Sequence, residues 1–165
     1  MKILIVEDEW KTLKGLSNLI AELGGEYEIA GQARSGEEGI RMAMELRPDI
    51  IITDIRMNGM TGLEMMKALN EEKLACRYII LSGYAEFQYA KEAISLGSMD
   101  YLLKPITKEI LEESLRKVRT AIEEEAQNIR TSSMDMEQIL ERALFMQGFS
   151  GSKFEAEWKK RFKSR

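Results

Sequence analysis

Residues 48–66 read PDIIITDIRMNGMTGLEMM and spell out a strand, a loop and the start of a helix. Ile50, Ile51, Ile52 and Thr53 are β-branched and of strand length, and their apolarity is continuous rather than alternating. Such a strand is buried on both faces. Thr61 and Glu64 stand at capping-box spacing, which opens a helix. Between the two elements sits an acid, Asp54.

The same grammar repeats outward. ILIV at 3–6, YIIL at 78–81 and MDYLL at 99–103 are further strand-length apolar runs, and 27–33 is a weaker, alternating one. Helical spacing fills the gaps. Leu13, Leu16, Ile20 and Leu23 make a first face, stopped by Gly24-Gly25, and Ser35 with Glu38 has capping-box spacing at the start of a second helix. Ala90, Ala93 and Ile94 line a fourth helix ended by Gly97, while Ile110, Leu111, Leu115, Val118 and Ile122 line a fifth. Five strands alternating with five helices predict an α/β protein, a flavodoxin-like doubly wound five-stranded parallel sheet, (β/α)5, with a helical C-terminal extension.

Composition narrows the chemistry. The 165 residues are 44% hydrophobic and 32% charged, with a net charge of −4. Residues 153–165 carry six basic and two acidic side chains, which leaves the remainder at −8. The lone Cys76 excludes an internal disulfide and fits a reducing compartment. Histidine is absent, so Ser-His, Cys-His and His-metal chemistry are excluded. The apolar run at 3–6 is too short for a signal peptide, and no stretch approaches transmembrane length. A cytoplasmic protein with no membrane partner is expected.

In open parallel sheets, ligands bind beyond the carboxyl ends of the strands. There the sequence offers Glu7 and Asp8 after the first strand, Asp54 after the third, Ser82 after the fourth, and Lys104-Pro105 after the fifth. Two unit charges 4 Å apart repel by ~4 kcal/mol at an effective dielectric near 20, so three clustered carboxylates need compensation. Lys104 and a divalent cation can supply it. Oxygen ligands with open positions suit Mg²⁺, and a carboxylate can act as nucleophile in phosphoryl transfer. A phosphatase with paired aspartates would need an acid where Arg56 stands, and a nucleotide-binding loop would need a Gly-rich turn where Glu7-Asp8-Glu9 stands.

The runs ILIVEDE (3–9), PDIIITDIRMNGMTGLEMM (48–66), IILSGYAEFQYAKEAI (79–94) and DYLLKPI (100–106) closely resemble those of bacterial response regulator receivers, most of all receivers attached to AraC-type (YesN-like) DNA-binding domains. The resemblance covers residues 1–122. It implies Asp54 as phosphoacceptor, with Mg²⁺ held by Asp8, Asp54 and the backbone carbonyl of Arg56, and by Glu7 through water. It further implies that Ser82 bonds the phosphoryl group while Tyr101 rotates inward, that Lys104 pairs with Asp54 or the phosphate, and that the Lys104–Pro105 peptide is cis. Arg56 and Tyr84 stand at positions that resemble the family's tuning sites for phosphate lifetime. Asn58 stands where proline is usual, which is expected to loosen the loop under Asp54. Thr61 stands where aspartate is usual, and it can still cap the following helix.

Beyond the receiver, 123–152 reads as a helical linker and 153–165 as a basic amphipathic tail, either disordered or the start of a missing output region. Leu111, Leu115, Val118, Ile122 and Ile129 fit a heptad seam broken by Glu125. An interruption is expected over 128–135, then a short helix capped by Asp135 and Gln138, a turn over 148–152, and Phe154, Trp158 and Phe162 at helical spacing. The expected function is a phosphorylation switch, not a turnover enzyme, fed by a sensor histidine kinase and controlling transcription. It would reach DNA only through an output module not readable in this chain. The fourth helix, fifth strand and fifth helix form the expected output surface, through which a homodimer is one option; the extended fifth helix either pairs with a second copy or stays exposed. The alternative is a stand-alone receiver that acts by binding a protein.

Overall fold

The computed structural model describes residues 1–83 and 87–146, with side chains as far as residue 130 apart from that of Phe87. In chain order the elements are β1 (Lys2–Val6), α1 (Trp10–Glu22), β2 (Glu28–Ala33), α2 (Gly36–Leu46), β3 (Ile50–Asp54), α3 (Gly62–Glu71), β4 (Arg77–Ser82), α4 (Phe87–Ser95), β5 (Ser98–Leu103) and α5 (Lys108–Met146). All strands are parallel, in the order β2-β1-β3-β4-β5. A first compact unit, Met1–Arg119, holds the whole sheet, and a second begins at Thr120.

The central strands behave as their sequence demands. Ile3 to Val6, Ile50 to Ile52, and Ile79 to Leu81 are all fully buried, because helices cover both faces of the sheet. MDYLL misleads on this point. β5 lies at the sheet edge, and its Met99 and Leu103 are 38% and 47% exposed.

The helix faces are also shifted from expectation in two places. Ile94 is 68% exposed, whereas α4 turns Ala93 to the core as expected and adds Tyr89 beside it. In α5, Leu111, Leu115 and Val118 are fully buried, but Ile110 is 42% exposed, since it sits about 100° around the helix from Leu111. No interruption occurs over 128–135. The run from Lys108 to Met146 contains neither glycine nor proline, so α5 continues through the Thr-Ser-Ser stretch. The expected short capped helix is part of α5, and its side chains, like residues 148–165, lie outside the described ones.

Side-chain caps set where α2 and α3 begin. Ser35 accepts the Glu38 N–H, but the Glu38 carboxylate reaches back past it to the N–H of Arg34. Thr61 and Glu64 form the full reciprocal box. That cap closes the loop beneath β3, where the Gly62 N–H donates to the Ile55 carbonyl at 2.9 Å. A Cβ on Gly62 would stand 2.0 Å from the backbone oxygen of Asp54, a position no side chain can share. Gly62→Ala is therefore expected to cost roughly 1–3 kcal/mol, as overpacked sites do. Urea unfolding measures it, and an unchanged midpoint would mean that the loop accommodates the methyl group.

Candidate functional site

Strand order reverses between β1 and β3, and the acids gather there. Glu7 follows β1, Asp8 is next, and Asp54 is the last residue of β3. One carboxylate oxygen from each lies within 4.8 Å of the others. Glu7 is fully buried, Asp54 is buried and Asp8 is half-buried.

Lys104, directly after β5, reaches into this cluster. Its ammonium donates to Asp54 Oδ2 at 2.6 Å and to Glu7 Oε2 at 2.8 Å. Its own N–H donates to the Ser82 carbonyl, and the Lys104–Pro105 peptide is cis. Burial pulls the Lys104 ammonium's pKa down, but its hydrogen bonds to Asp54 and Glu7 outweigh that and leave it raised. Burial pushes the Glu7 carboxyl up, against the lowering effect of Lys104 and of the Glu9 N–H.

Each carboxylate also accepts a backbone N–H. Glu9 donates to Glu7 Oε1 at 3.1 Å, Arg56 to Asp54 Oδ1 at 3.3 Å, and Asn58 to Asp8 Oδ2 at 3.1 Å. The last bond reverses the expectation for Asn58, which ties its loop to the acidic site rather than loosening it. The guanidinium of Arg34 donates to the Asp8 carbonyl at 3.0 Å. Neither contact of Asp8 was legible in the sequence, because residues 34 and 58 carry no motif that pairs them with position 8. Nor was the stacking of the Arg56 guanidinium 5.5 Å from the centre of the Tyr89 ring.

Ser82 ends β4 and is buried, one position past the register partner of Asp54. Tyr101 lies on β5 in register with Ile80, half-buried against the core. Tyr84 lies outside the described residues. Beside the acidic edge, an open groove of about 620 Å³ is lined by Thr12, Gly15, Leu16, Leu19, Pro105 and Ile106, among others. No helix among the described residues is long and apolar enough to cross a membrane.

The donor set suits a hard divalent cation. All three groups are carboxylates, and one ammonium leaves the cluster with an excess of negative charge.

With this geometry in hand, residues 3–116 match the response regulator receiver domain family, and the chain belongs to that family. It is 37% identical over 117 residues to the transcriptional regulatory protein YesN of Bacillus subtilis, which covers 71% of this chain but only 32% of YesN. Among solved structures, the receiver domain of the response regulator AraT from Geobacillus stearothermophilus is 38% identical, with a TM-score of 0.69 over 76% of this chain and 97% of that one. The CheX–CheY–BeF3–Mg²⁺ complex from Borrelia burgdorferi is 25% identical, with a TM-score of 0.68 over 72% of this chain and 88% of that one.

Lys104→Met would leave a fully buried carboxylate without its cation. A loss of about 1.5–3 kcal/mol is expected at neutral pH, the range for hydrogen bonds to charged groups. Glu7's folded pKa is raised, so its protonated form favours the folded state. The deficit should therefore shrink as pH falls through that raised value. Denaturant unfolding at neutral and mildly acidic pH measures this, and a deficit that grows on acidification would contradict the assigned role of Glu7.

Proposed function

We propose that this chain is the receiver of a two-component phosphorelay, accepting a phosphoryl group on Asp54 from a sensor histidine kinase and changing shape in response. The observation that carries the reading is the Lys104 ammonium bridging Asp54 and Glu7 inside a three-carboxylate cluster. Asp8, Asp54 and the Arg56 backbone carbonyl would hold Mg²⁺, with Glu7 behind them through water. Both Glu7 oxygens already accept hydrogen bonds, which suits that indirect role. Mg²⁺, when bound, supplies positive charge against the phosphoryl oxygens.

Asp54 Oδ1 is the attacking oxygen. Lys104 engages Oδ2 closely, whereas among the described residues Oδ1 accepts only the long Arg56 bond. The new O–P bond forms as the P–N bond to the kinase imidazole breaks, and the electron pair leaves with the imidazole. The groove beside α1 gives a kinase segment room near the acidic edge. The chain catalyses only its own phosphorylation and dephosphorylation.

Phosphorylation adds about −1.5 to −2 charges. Ser82 and Lys104 move to bond the new group, and Tyr101 turns inward behind Ser82. The surface of α4, β5 and α5 then changes, and Ile94, Met99, Leu103 and Ile110 are exposed there for a second copy or another protein. Control of transcription is supported by the likeness to a transcriptional regulatory protein, and would run through a DNA-binding output module not readable in this sequence. The setting is the cytoplasm.

With acetyl phosphate and Mg²⁺, Asp54→Ala is expected to lose all labelling, and Asp8→Asn to need far more Mg²⁺ for the same rate. Full labelling of Asp54→Ala would refute the acceptor. Beryllofluoride with Mg²⁺ should shift sedimentation and amide-exchange protection across α4, β5 and α5, and Tyr101→Ala should blunt both effects. If mimic-bound protein is indistinguishable from free protein on that surface, the output face lies elsewhere.

A further inference from the structure

The three N–H bonds to the site's carboxylates differ in kind. Those to Glu7 and Asp54 come from residues two positions along the chain, so they form with the local turn. The bond to Asp8 comes from Asn58, 50 residues away. Lys104 holds Glu7 and Asp54. Among the described residues, the only hydrogen bond to the Asp8 carboxylate is the one from the Asn58 N–H. The Arg34 guanidinium holds the same residue by its backbone carbonyl.

We propose that the backbone N–H of Asn58 is a positioning group for metal binding, holding the Asp8 carboxylate by Oδ2 so that its other oxygen is ready for the cation. This rests on the reading of Asp8 as a Mg²⁺ ligand. Mg²⁺ gives up hydration reluctantly and takes few protein ligands. A half-buried aspartate free to rotate would lose side-chain entropy on binding, and one already held loses less. Partners that orient metal ligands in this way are worth tenfold or more in affinity. The Asn58 side chain plays no part in this role. What matters is that residue 58 has an N–H at all, which the proline usual at this position lacks. The departure from the family pattern thus adds an anchor to the metal site.

The test is titration of ¹⁵N-labelled protein with MgCl₂, followed through the backbone amides of Glu9 and Arg56, for wild type, Asn58→Ala and Asn58→Pro. Asn58→Ala keeps the N–H and should bind as wild type does. Asn58→Pro should bind about tenfold more weakly, yet regain the wild-type labelling rate with acetyl phosphate once Mg²⁺ is saturating. Equal affinity in Asn58→Pro overturns the proposal, as does an equal loss in Asn58→Ala. Should the proline variant not fold, hydrogen exchange decides. The Asn58 backbone amide should exchange faster in Asp8→Ala than in wild type, and an unchanged rate overturns the assignment. Wild-type protein that fails to bind Mg²⁺ would sink the ligand reading itself, whereas equal binding by all variants would remove only Asn58 from it.

Discussion

The ammonium of Lys104, shared between Asp54 and Glu7, is the contact on which the rest of the site depends. Carboxylates about 5 Å apart repel by ~3 kcal/mol per pair at an effective dielectric near 20. Glu7 is fully buried and cannot relieve that repulsion by turning to water. A single cation spanning two of the three acids lets them coexist, and it leaves enough negative charge for a divalent ion to be welcome.

Topology explains why that cation comes from so far along the chain. β1 and β3 are neighbours at the centre of the sheet, so their carboxyl ends bring Glu7, Asp8 and Asp54 together. Both strands are buried along their length, which leaves only the ends for chemistry. β5 is two strands away from β3, roughly 10 Å at ordinary strand spacing. A long, flexible lysine covers that distance where a shorter side chain would not. The same arrangement ties the site to the sheet edge, because Lys104 is joined directly to β5 and its N–H is bound to the Ser82 carbonyl.

The sheet edge is also where the site meets the core. Tyr101 sits half-buried on β5, with Ser82 at the end of the neighbouring strand. The stacking of Arg56 on Tyr89 joins the loop after β3 to α4. α4, β5 and α5 expose apolar side chains that a strictly amphipathic reading would have buried.

How much of this was legible varies from element to element. Continuous, largely β-branched runs at 3–6 and 50–53 identified buried parallel strands, because a strand covered on both faces admits no alternation. Thr61 with Glu64 marked a helix start, because side-chain and backbone groups three residues apart satisfy each other locally. Acids and a lysine at the strand ends marked the site, because parallel topology delivers all such ends to one edge. The edge position of β5 was not legible, since MDYLL reads the same whether or not another strand lies beside it. Nor was the continuity of α5 past 128, which low-propensity residues weaken but do not forbid. The sequence by itself determined the strand–helix alternation and the identity of the reactive groups, both set by local periodicity and side-chain chemistry. Only the tertiary structure decided that Lys104 serves Glu7 as well as Asp54, and that Asn58 holds Asp8, because residues 97 and 50 positions apart carry no local record of their meeting.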